Sequence, residues 1–423
     1  MIAFVVTFVV VAGFGTLLWL SSAVVRVLAA RARNARSRGR REVQTSPVPT
    51  PDAVAVVVAA HNEELVIAET IRSAARQVPV ENVFVVSDGS RDRTVAVAQA
   101  EGASVLDLQP NRGKAGAIRA VIDELRLAER FEVVVLLDAD SQLSDDYLVS
   151  GLAEFADPDV VAVAGRATTL LDPRPPTRIG RLLVAYRERL YLSVQYLQKF
   201  GQAARHLNAV AIVPGFASMY RTRILADIDI DAPGLVIEDY NMTFEVHAKS
   251  LGRIAFRPSA AIALTQDPDN LRDYRKQVHR WSLGFWQTVR RHGLRRGRFW
   301  ALLALSIVEL VSSSLFMVLT VPVMLVGFVA LLVVPLDQTG TAATIVTVIP
   351  PFAILLGVVV PDYLLTLFAA WHSRRISYLV RGLAFPALRI MDAAICLRAL
   401  AQSAIGGADG RWASPERRAL AGG

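Results

Sequence analysis

Val133-Val134-Val135-Leu136-Leu137-Asp138-Ala139-Asp140 is an unbroken apolar run that ends in two carboxylates one residue apart. A run this apolar reads as a strand buried on both faces, and the carboxyl end of such a strand is where open α/β sheets place ligands. Alternate residues of an extended segment point the same way. Asp138 and Asp140 are therefore expected to face one hard divalent cation and, through it, a diphosphate. The competing reading is a solvated loop after a strand, and the flanking segments weigh against it. After a Pro- and Ser-containing linker near residues 44–52, residues 53–60 read as a buried strand, 63–76 as a helix, 81–87 as a second strand, 93–100 as a helix and 113–127 as a helix feeding the Asp138 strand. Alternation of this kind, continuing to about residue 165, predicts a parallel sheet wrapped by helices, a nucleotide-binding architecture.

The composition adds a second kind of protein to this one. With 423 residues and 53% hydrophobic, and a mean hydropathy of +0.38, the chain is too apolar for an ordinary soluble enzyme and too charged in its middle for a pure membrane bundle. Residues 2–25 are almost entirely apolar and are followed by Arg26, Arg31, Arg33, Arg36, Arg38, Arg40 and Arg41. A signal peptide carries its charge before the apolar stretch, so this is read as an uncleaved anchor with the Arg cluster cytoplasmic. A pI near 9.9 also suits a nucleic-acid arm, but basic residues directly after an apolar span are assigned to anionic lipid headgroups, and no nucleic-acid partner is expected. Cys396 is the only cysteine, which excludes a disulfide or a cysteine-based metal site within one chain.

Residues 178–199 place Ile179, Leu182, Leu183, Tyr186, Leu190, Val194 and Leu197 on one helical face with Arg and Glu opposite, and Leu271, Tyr274, Val278, Trp281, Phe285 and Val289 repeat the pattern among basic residues. Both are expected to be amphipathic helices at the bilayer interface. Apolar stretches at about 300–334 and 343–370 each exceed the roughly twenty residues that a span requires, and their connector carries no Lys or Arg, which places it outside the cell. A third stretch, 377–398, contains Arg381, Pro386, Arg389 and Asp392 and is a poor lipid-facing span. Arg411, Trp412, Arg417 and Arg418 in the tail are read as cytoplasmic, which requires an even number of crossings after the catalytic domain and makes the third stretch re-entrant or interfacial. The expected order is an anchor at 1–25, a basic linker at 26–52, a catalytic domain at 53–265, an interface helix at 266–298, a membrane domain at 299–400 and a tail at 401–423.

Several polar clusters punctuate the sheet pattern. Ala60-His61-Asn62-Glu63 follows the first strand and Asp88-Gly89-Ser90 the second, Lys114 follows Asn111-Arg112-Gly113, and Glu238-Asp239 follows an apolar segment and supplies a carboxylate suited to general-base work. Gly113-Lys114-Ala115 lacks the spacing of a phosphate-binding P-loop, and no G-x-G-x-x-G follows a strand. His61, His247 and His279 show no metal-ligand spacing.

The order of A-H-N-E-E, D-G-S, N-R-G-K-A-G-A, D-A-D, E-D and Gln277-Val278-His279-Arg280-Trp281 resembles the processive, membrane-integrated family 2 glycosyltransferases, the group of cellulose, chitin and hyaluronan synthases. The single anchor and the ending Arg411-Trp412-Ala413-Ser414-Pro415-Glu416-Arg417 are similar to the bacterial poly-β-1,6-N-acetylglucosamine synthases. The resemblance implies an α/β catalytic domain of the GT-A (Rossmann-like) type on the cytoplasmic side of a bacterial inner membrane, joined to multi-pass transmembrane helices and amphipathic interface helices. It implies a UDP-sugar donor, with UDP-N-acetylglucosamine foremost, a growing polysaccharide acceptor, Mg²⁺ or Mn²⁺, membrane lipid and a small accessory membrane subunit as partners. Carried over by residue, His61, Asn62, Glu63, Asp88, Lys114 and Asp138 bind the donor, and Asp138 and Asp140 hold the metal. Asp239 is the catalytic base; Glu238, Gln277, Arg280 and Trp281 hold acceptor and diphosphate; Arg411, Trp412 and Arg417 gate the site. Ile237 departs from the Thr that relatives carry before Glu-Asp. The rival readings are a lipid-linked sugar transferase that adds one sugar, a synthase using another UDP-sugar, and a transporter or scaffold with a regulatory nucleotide-binding fold.

Overall fold

The structure, a computed structural model, describes residues 1–37 and 47–405. Part of the basic linker and the tail residues Arg411, Trp412 and Arg417 lie outside the described residues.

Two helices open the chain, α1 (Ile2–Ala12) and α2 (Phe14–Ser37). The catalytic domain then runs β1 (Val54–Ala60), α3 (Ile67–Ala75), β2 (Val83–Asp88), α4 (Thr94–Ala100), β3 (Ser104–Leu108), α5 (Gly113–Glu124), α6 (Leu127–Arg130) and β4 (Val133–Asp138). It continues through β5 (Ser141–Leu143), α7 (Tyr147–Leu152), β6 (Val160–Ala164), β7 (Arg166–Thr169), α8 (Arg178–Ser193), a π-helical segment Val194–Lys199, α9 (Phe200–Gln202), β8 (Ser218–Arg221), α10 (Glu238–Ala248), β9 (Arg253–Ala255) and β10 (Ile262–Thr265). Six helices complete it: α11 (Leu271–His292), α12 (Arg298–Val333), α13 (Thr341–Val348), α14 (Pro351–Ser373), α15 (Ser377–Arg381) and α16 (Phe385–Ile405).

The main sheet has the order β3-β2-β1-β4-β8-β6-β9, and β5-β10-β7 form a second, smaller sheet. Every residue of β1 is buried, and its side chains divide by parity: Ala55, Val57 and Ala59 join one apolar core, Val54, Val56, Val58 and Ala60 the other. This two-faced burial is why the strands read as continuous apolar runs. The expected parallel sheet holds for β3, β2, β1 and β4, but β8 is antiparallel to both its neighbours, β4 and β6. That inversion carries residues 214–217 to the carboxyl edge of β4. The helices are shorter than their apolar patterns suggested; α3 begins at Ile67 rather than 63, and α5 ends at Glu124 with a separate turn after it.

The expected single anchor over 2–25 is divided at Gly13, whose φ of +83° ends α1. Such a break frees a carbonyl end and an amide end. Both find charged partners: Arg389 of α16 donates to the Val11 carbonyl, and Glu309 of α12 accepts from the Gly15 amide at 3.1 Å. Among the described residues, three segments are long and apolar enough to cross a membrane: Phe14–Ala32, Arg298–Leu336 and Thr341–Ser373. The stretch at 377–398 is not among them; α16 instead packs along α11 and α12, and its Asp392 accepts from Tyr186 and Tyr274 hydroxyls. The expected solvated face of the 178–199 helix is a correction. Arg187, Glu188 and Arg189 are 3%, 7% and 1% exposed, because α8 is enclosed by α11, α14 and α15 and its charges pair inside.

The anchor meets the catalytic domain at a close backbone crossing. A Cβ on Gly201 would lie 2.1 Å from the Trp19 carbonyl oxygen, and Ser22 of α2 donates to the Gly201 carbonyl at 3.0 Å. Gly201→Ala is expected to cost about 1–3 kcal/mol, the usual scale of overpacking. A thermal melt of the detergent-solubilised protein checks this, and an unchanged midpoint sinks the close approach.

Candidate functional site

The carboxyl ends of β1, β2 and β4 lie side by side, since Ala60 pairs with Ser87 and Ala59 with Asp138 in register. The expected donor residues are thereby collected at one edge. His61 Nδ1 donates to the Asp88 carbonyl at 2.7 Å, and Asn62, held at a φ of +56°, accepts the Arg91 amide at 2.8 Å. Glu63 is buried and its amide donates to Thr94 Oγ1 at 2.8 Å. Asp88 is fully buried. Its Oδ1 accepts the Arg112 amide at 2.7 Å, while Oδ2 has no partner among the described residues. A buried carboxylate oxygen without a donor costs on the order of 1–3 kcal/mol or more unless a ligand supplies one.

Lys114, in the first turn of α5, lies at the centre. Its Nζ is 2.7 Å from Asp138 Oδ1 and 2.7 Å from Glu238 Oε1. Burial opposes the charged form, but Asp138 and Glu238 together outweigh it and hold the ammonium well above the ordinary lysine range. Glu238 and Asp239 open α10. Asp239 Oδ1 accepts the Tyr240 amide at 2.7 Å and Oδ2 the Gly215 amide at 3.3 Å. Burial, then the charge of Glu238, push the Asp239 carboxyl up to about 7 against the opposing pull of Lys114. Gly215 is the residue that the sequence reading missed here: a Cβ on it would come within 2.9 Å of Glu238 Oε1 and 3.0 Å of Lys114 Nζ, so a side chain there would have to shift the ends of both charged side chains. Ile237 caps α10 without a side-chain hydrogen bond and packs on Gly284 of α11, so the place of the expected hydroxyl is taken by an apolar tether between the two helices.

The two carboxylates that end the Val133 run do not continue the strand alternation. β4 stops at Asp138, and Ala139 and Asp140 form a turn, so the expected common direction does not follow from a strand. Asp138 pairs with Lys114; the buried Asp140 bears electrostatically on Asp267 and Tyr191. No three His, Cys, Asp or Glu residues among those described are grouped to hold a metal. Two adjacent carboxylates fit a Mg²⁺-like cation that takes its remaining ligands from substrate phosphates and water, not an all-protein cage.

Beyond Asp140 lies a second cluster that sequence reading only half found. Asp267 accepts from Thr169 Oγ1 at 2.8 Å and Tyr191 hydroxyl at 2.9 Å and pairs with Arg187 Nε at 3.4 Å. Burial raises its carboxyl to about 6, with Arg187 opposing and Asp140 reinforcing. Arg187 Nη2 donates to Gln277 Oε1 at 2.8 Å, and its guanidinium lies 4.5 Å from the Trp281 ring centroid and 4.8 Å from that of Tyr274. Gln277 and Trp281 are thus brought together as their four-residue spacing predicts. Arg280, half-buried between them, makes no ion pair among the described residues. Arg187 and Asp267 were missed, since one read only as part of the charged face of an amphipathic helix and the other was not singled out. Lys199 was also missed: it is buried beside the Phe256 ring, and burial lowers its ammonium to about 8 although Asp239 pulls upward.

The family description "Glycosyltransferase like family 2" matches residues 51–284. The poly-β-1,6-N-acetyl-D-glucosamine synthase of Staphylococcus aureus is 23% identical over 265 residues, 58% of this chain and 59% of that protein's length. The match thus spans under two thirds of that relative. Among solved structures, a mannosyltransferase from Pyrobaculum calidifontis, in complex with GDP-Man and Mn²⁺, has 17% identity and a TM-score of 0.49, covering 92% of this chain and 98% of its own. Glucosyl-3-phosphoglycerate synthase from Mycobacterium tuberculosis, in complex with Mn²⁺, UDP and glucosyl-3-phosphoglycerate, has 18% identity and a TM-score of 0.38, covering 58% of this chain and 82% of its own.

Lys114 pulls the Asp239 titration downward. Replacing it by Met is expected to raise the Asp239 pKa further, because the ionised carboxylate loses its compensating charge beside Glu238. The pH–rate midpoint then moves to higher pH, and an unmoved midpoint separates Lys114 from Asp239.

Proposed function

The chain belongs to the glycosyltransferase-like family 2, with a catalytic domain of the GT-A type, and from that premise we propose that it is a processive, inverting β-glycosyltransferase that builds a polysaccharide from a UDP-sugar. The sugar is N-acetylglucosamine on this reading, by likeness to the staphylococcal synthase. The catalytic domain faces the cytoplasm, as the arginines after the anchor favour, and the polymer passes outward through the membrane helices. The observation that carries the reading is the Lys114 bridge, which sets a carboxyl with a raised pKa, Asp239, next to the Asp138 edge where a diphosphate would lie.

Asp88, with one buried oxygen lacking a donor, binds the uridine in this mechanism. His61, Asn62 and Glu63 shape the same edge, and Lys114 meets diphosphate charge. Asp138 and Asp140 would hold Mg²⁺ or Mn²⁺, which supplies charge compensation on the departing UDP when bound. Asp239 takes the proton from the acceptor hydroxyl as that oxygen forms its bond to the anomeric carbon from the face opposite UDP. Glu238 pairs with Lys114, and the raised pKa of Asp239, about 7, matches a base working near neutral pH. Gln277, Arg280 and Trp281 receive the acceptor end, with Arg280 available to phosphate oxygens. α11, which carries Gln277 and Trp281, packs against α16, and α16 against the candidate span α12; this nearness supports chain building over a single addition.

Protein in lipid, given radiolabelled UDP-N-acetylglucosamine and sized for product, is expected to yield a long polymer. A single-sugar lipid product would favour the lipid-linked transferase instead. EDTA should abolish transfer, as should Asp140→Asn; full activity in EDTA overturns the metal assignment. Asp239→Asn should leave donor binding intact and lower turnover by about a hundred- to ten-thousand-fold. The base works only when ionised, and its pKa is raised to about 7. Turnover should therefore climb as pH rises through that value and level off above it; a rate that falls over this range assigns the base elsewhere.

A further inference from the structure

Four consecutive side chains of α8, Tyr186-Arg187-Glu188-Arg189, are all buried. A helix turns about 100° per residue, so four in a row cover its whole circumference, and here they are bonded between them to α11, α14, α15 and α16. Tyr186 donates to Asp392 of α16 at 3.1 Å. Glu188 accepts from Ser373 at the end of α14 at 2.8 Å and from Tyr378 of α15. Arg189 pairs with Asp362 of α14 at 2.6 Å. Arg187 differs from the other three: its partners are Gln277, Trp281 and Tyr274 of α11 and Asp267 at the edge of the site.

Burying three charges in four residues is expensive unless each is paired, and apolar residues pack a helix at less cost. What the charges add is geometry. Gln277 Oε1 is consumed by the Arg187 donor, which fixes the amide so that its NH₂ group is the end left to a ligand. The guanidinium covers one face of the Trp281 ring, so a sugar would stack on the other.

We infer that Arg187 is the positioning residue of the acceptor site: it orients Gln277 and Trp281 toward a sugar hydroxyl and ring, and its neighbours in α8 set that orientation in register with α14, α15 and α16. The inference rests on the reading that Gln277 and Trp281 contact the acceptor. It makes the acceptor end of the polymer answer to the same helix that grips the membrane segments.

The test uses the full chain in lipid nanodiscs with UDP-N-acetylglucosamine as donor and a short β-1,6-linked N-acetylglucosamine oligomer as acceptor. Arg187→Met should raise the acceptor KM about tenfold or more, the scale of a lost hydrogen bond from a charged group, with the donor KM within about twofold of wild type. Arg187→Lys keeps the charge but not the planar fork, and should do the same; it carries the test should the Met variant fail to fold. Combined with Gln277→Ala, either variant should add little to the larger single effect, since the two act as one unit. Tyr186→Phe, which loosens α8 from α16 without touching Gln277, should raise the acceptor KM alone.

Equal changes in donor and acceptor KM for the Arg187 variants, or additive effects with Gln277→Ala, overturn the positioning role. An acceptor KM unchanged by Tyr186→Phe overturns the register with the membrane helices. If Gln277→Ala and Trp281→Ala themselves leave the acceptor KM untouched, the acceptor assignment falls and this inference with it. If they raise it while Arg187 variants do not, only this inference falls.

Discussion

Lys114 Nζ stands 2.7 Å from carboxylates on two otherwise separate elements, the end of β4 and the start of α10. Asp138, Glu238 and Asp239 would repel one another at so small a distance from the sheet edge, and like charges of this kind force protons onto one member. With a single ammonium shared between two of them, the strain falls on the third. Asp239 keeps only backbone amide donors, and burial, then the charge of Glu238, raise its carboxyl to about 7 while Lys114 holds it back. A carboxyl poised near neutral pH thus stands beside two acids that share one lysine.

The fold is arranged so that this division can occur. The parallel strands deliver His61, Asp88 and Asp138 to one edge, but a fully parallel sheet would send the chain before β8 to the opposite end. Inversion of β8, with Ser218 beside Leu136, returns the 214–217 loop to the carboxyl edge and sets Gly215 over the lysine. The absence of a side chain there leaves the Glu238 and Lys114 ends undisturbed. The antiparallel strand and the glycine thus act on the same cluster.

What was legible in the sequence follows from burial. Runs such as 133–137 are apolar because both faces of the sheet are covered, and that property is local and readable. Gln277 and Trp281 were readable for a similar reason, since helical spacing alone sets them on one face. Arg187, Glu188 and Arg189 misled, because a charged helical face has the same pattern whether it meets water or a partner, and only the packing of α11, α14 and α15 around α8 distinguishes the two. At Asp140 the strand alternation was extended past the point where the backbone turns, so its common direction with Asp138 does not follow from the strand. The inversion of β8 left no trace in a four-residue strand whose pattern suits either direction, and the anchor's division rests on Gly13, one glycine in an otherwise uniform apolar run.

That division links the N-terminal helices to the catalytic domain through charge. Arg389 meets the freed carbonyl end of α1 and also lies 3.6 Å from Asp362, which holds Arg189 of α8. Two residues before Arg189, Arg187 holds Gln277 and Trp281. Apolar contacts between these helices could slide by a residue with little penalty, whereas each buried ion left without its partner costs several kcal/mol. A slip of any one helix would unpair a charge on the next. The ion pairs and the Arg389 bond to α1 therefore set the register in which α1, α14, α16 and α8 pack, and through α8 they fix where Gln277 and Trp281 stand relative to the Lys114 cluster.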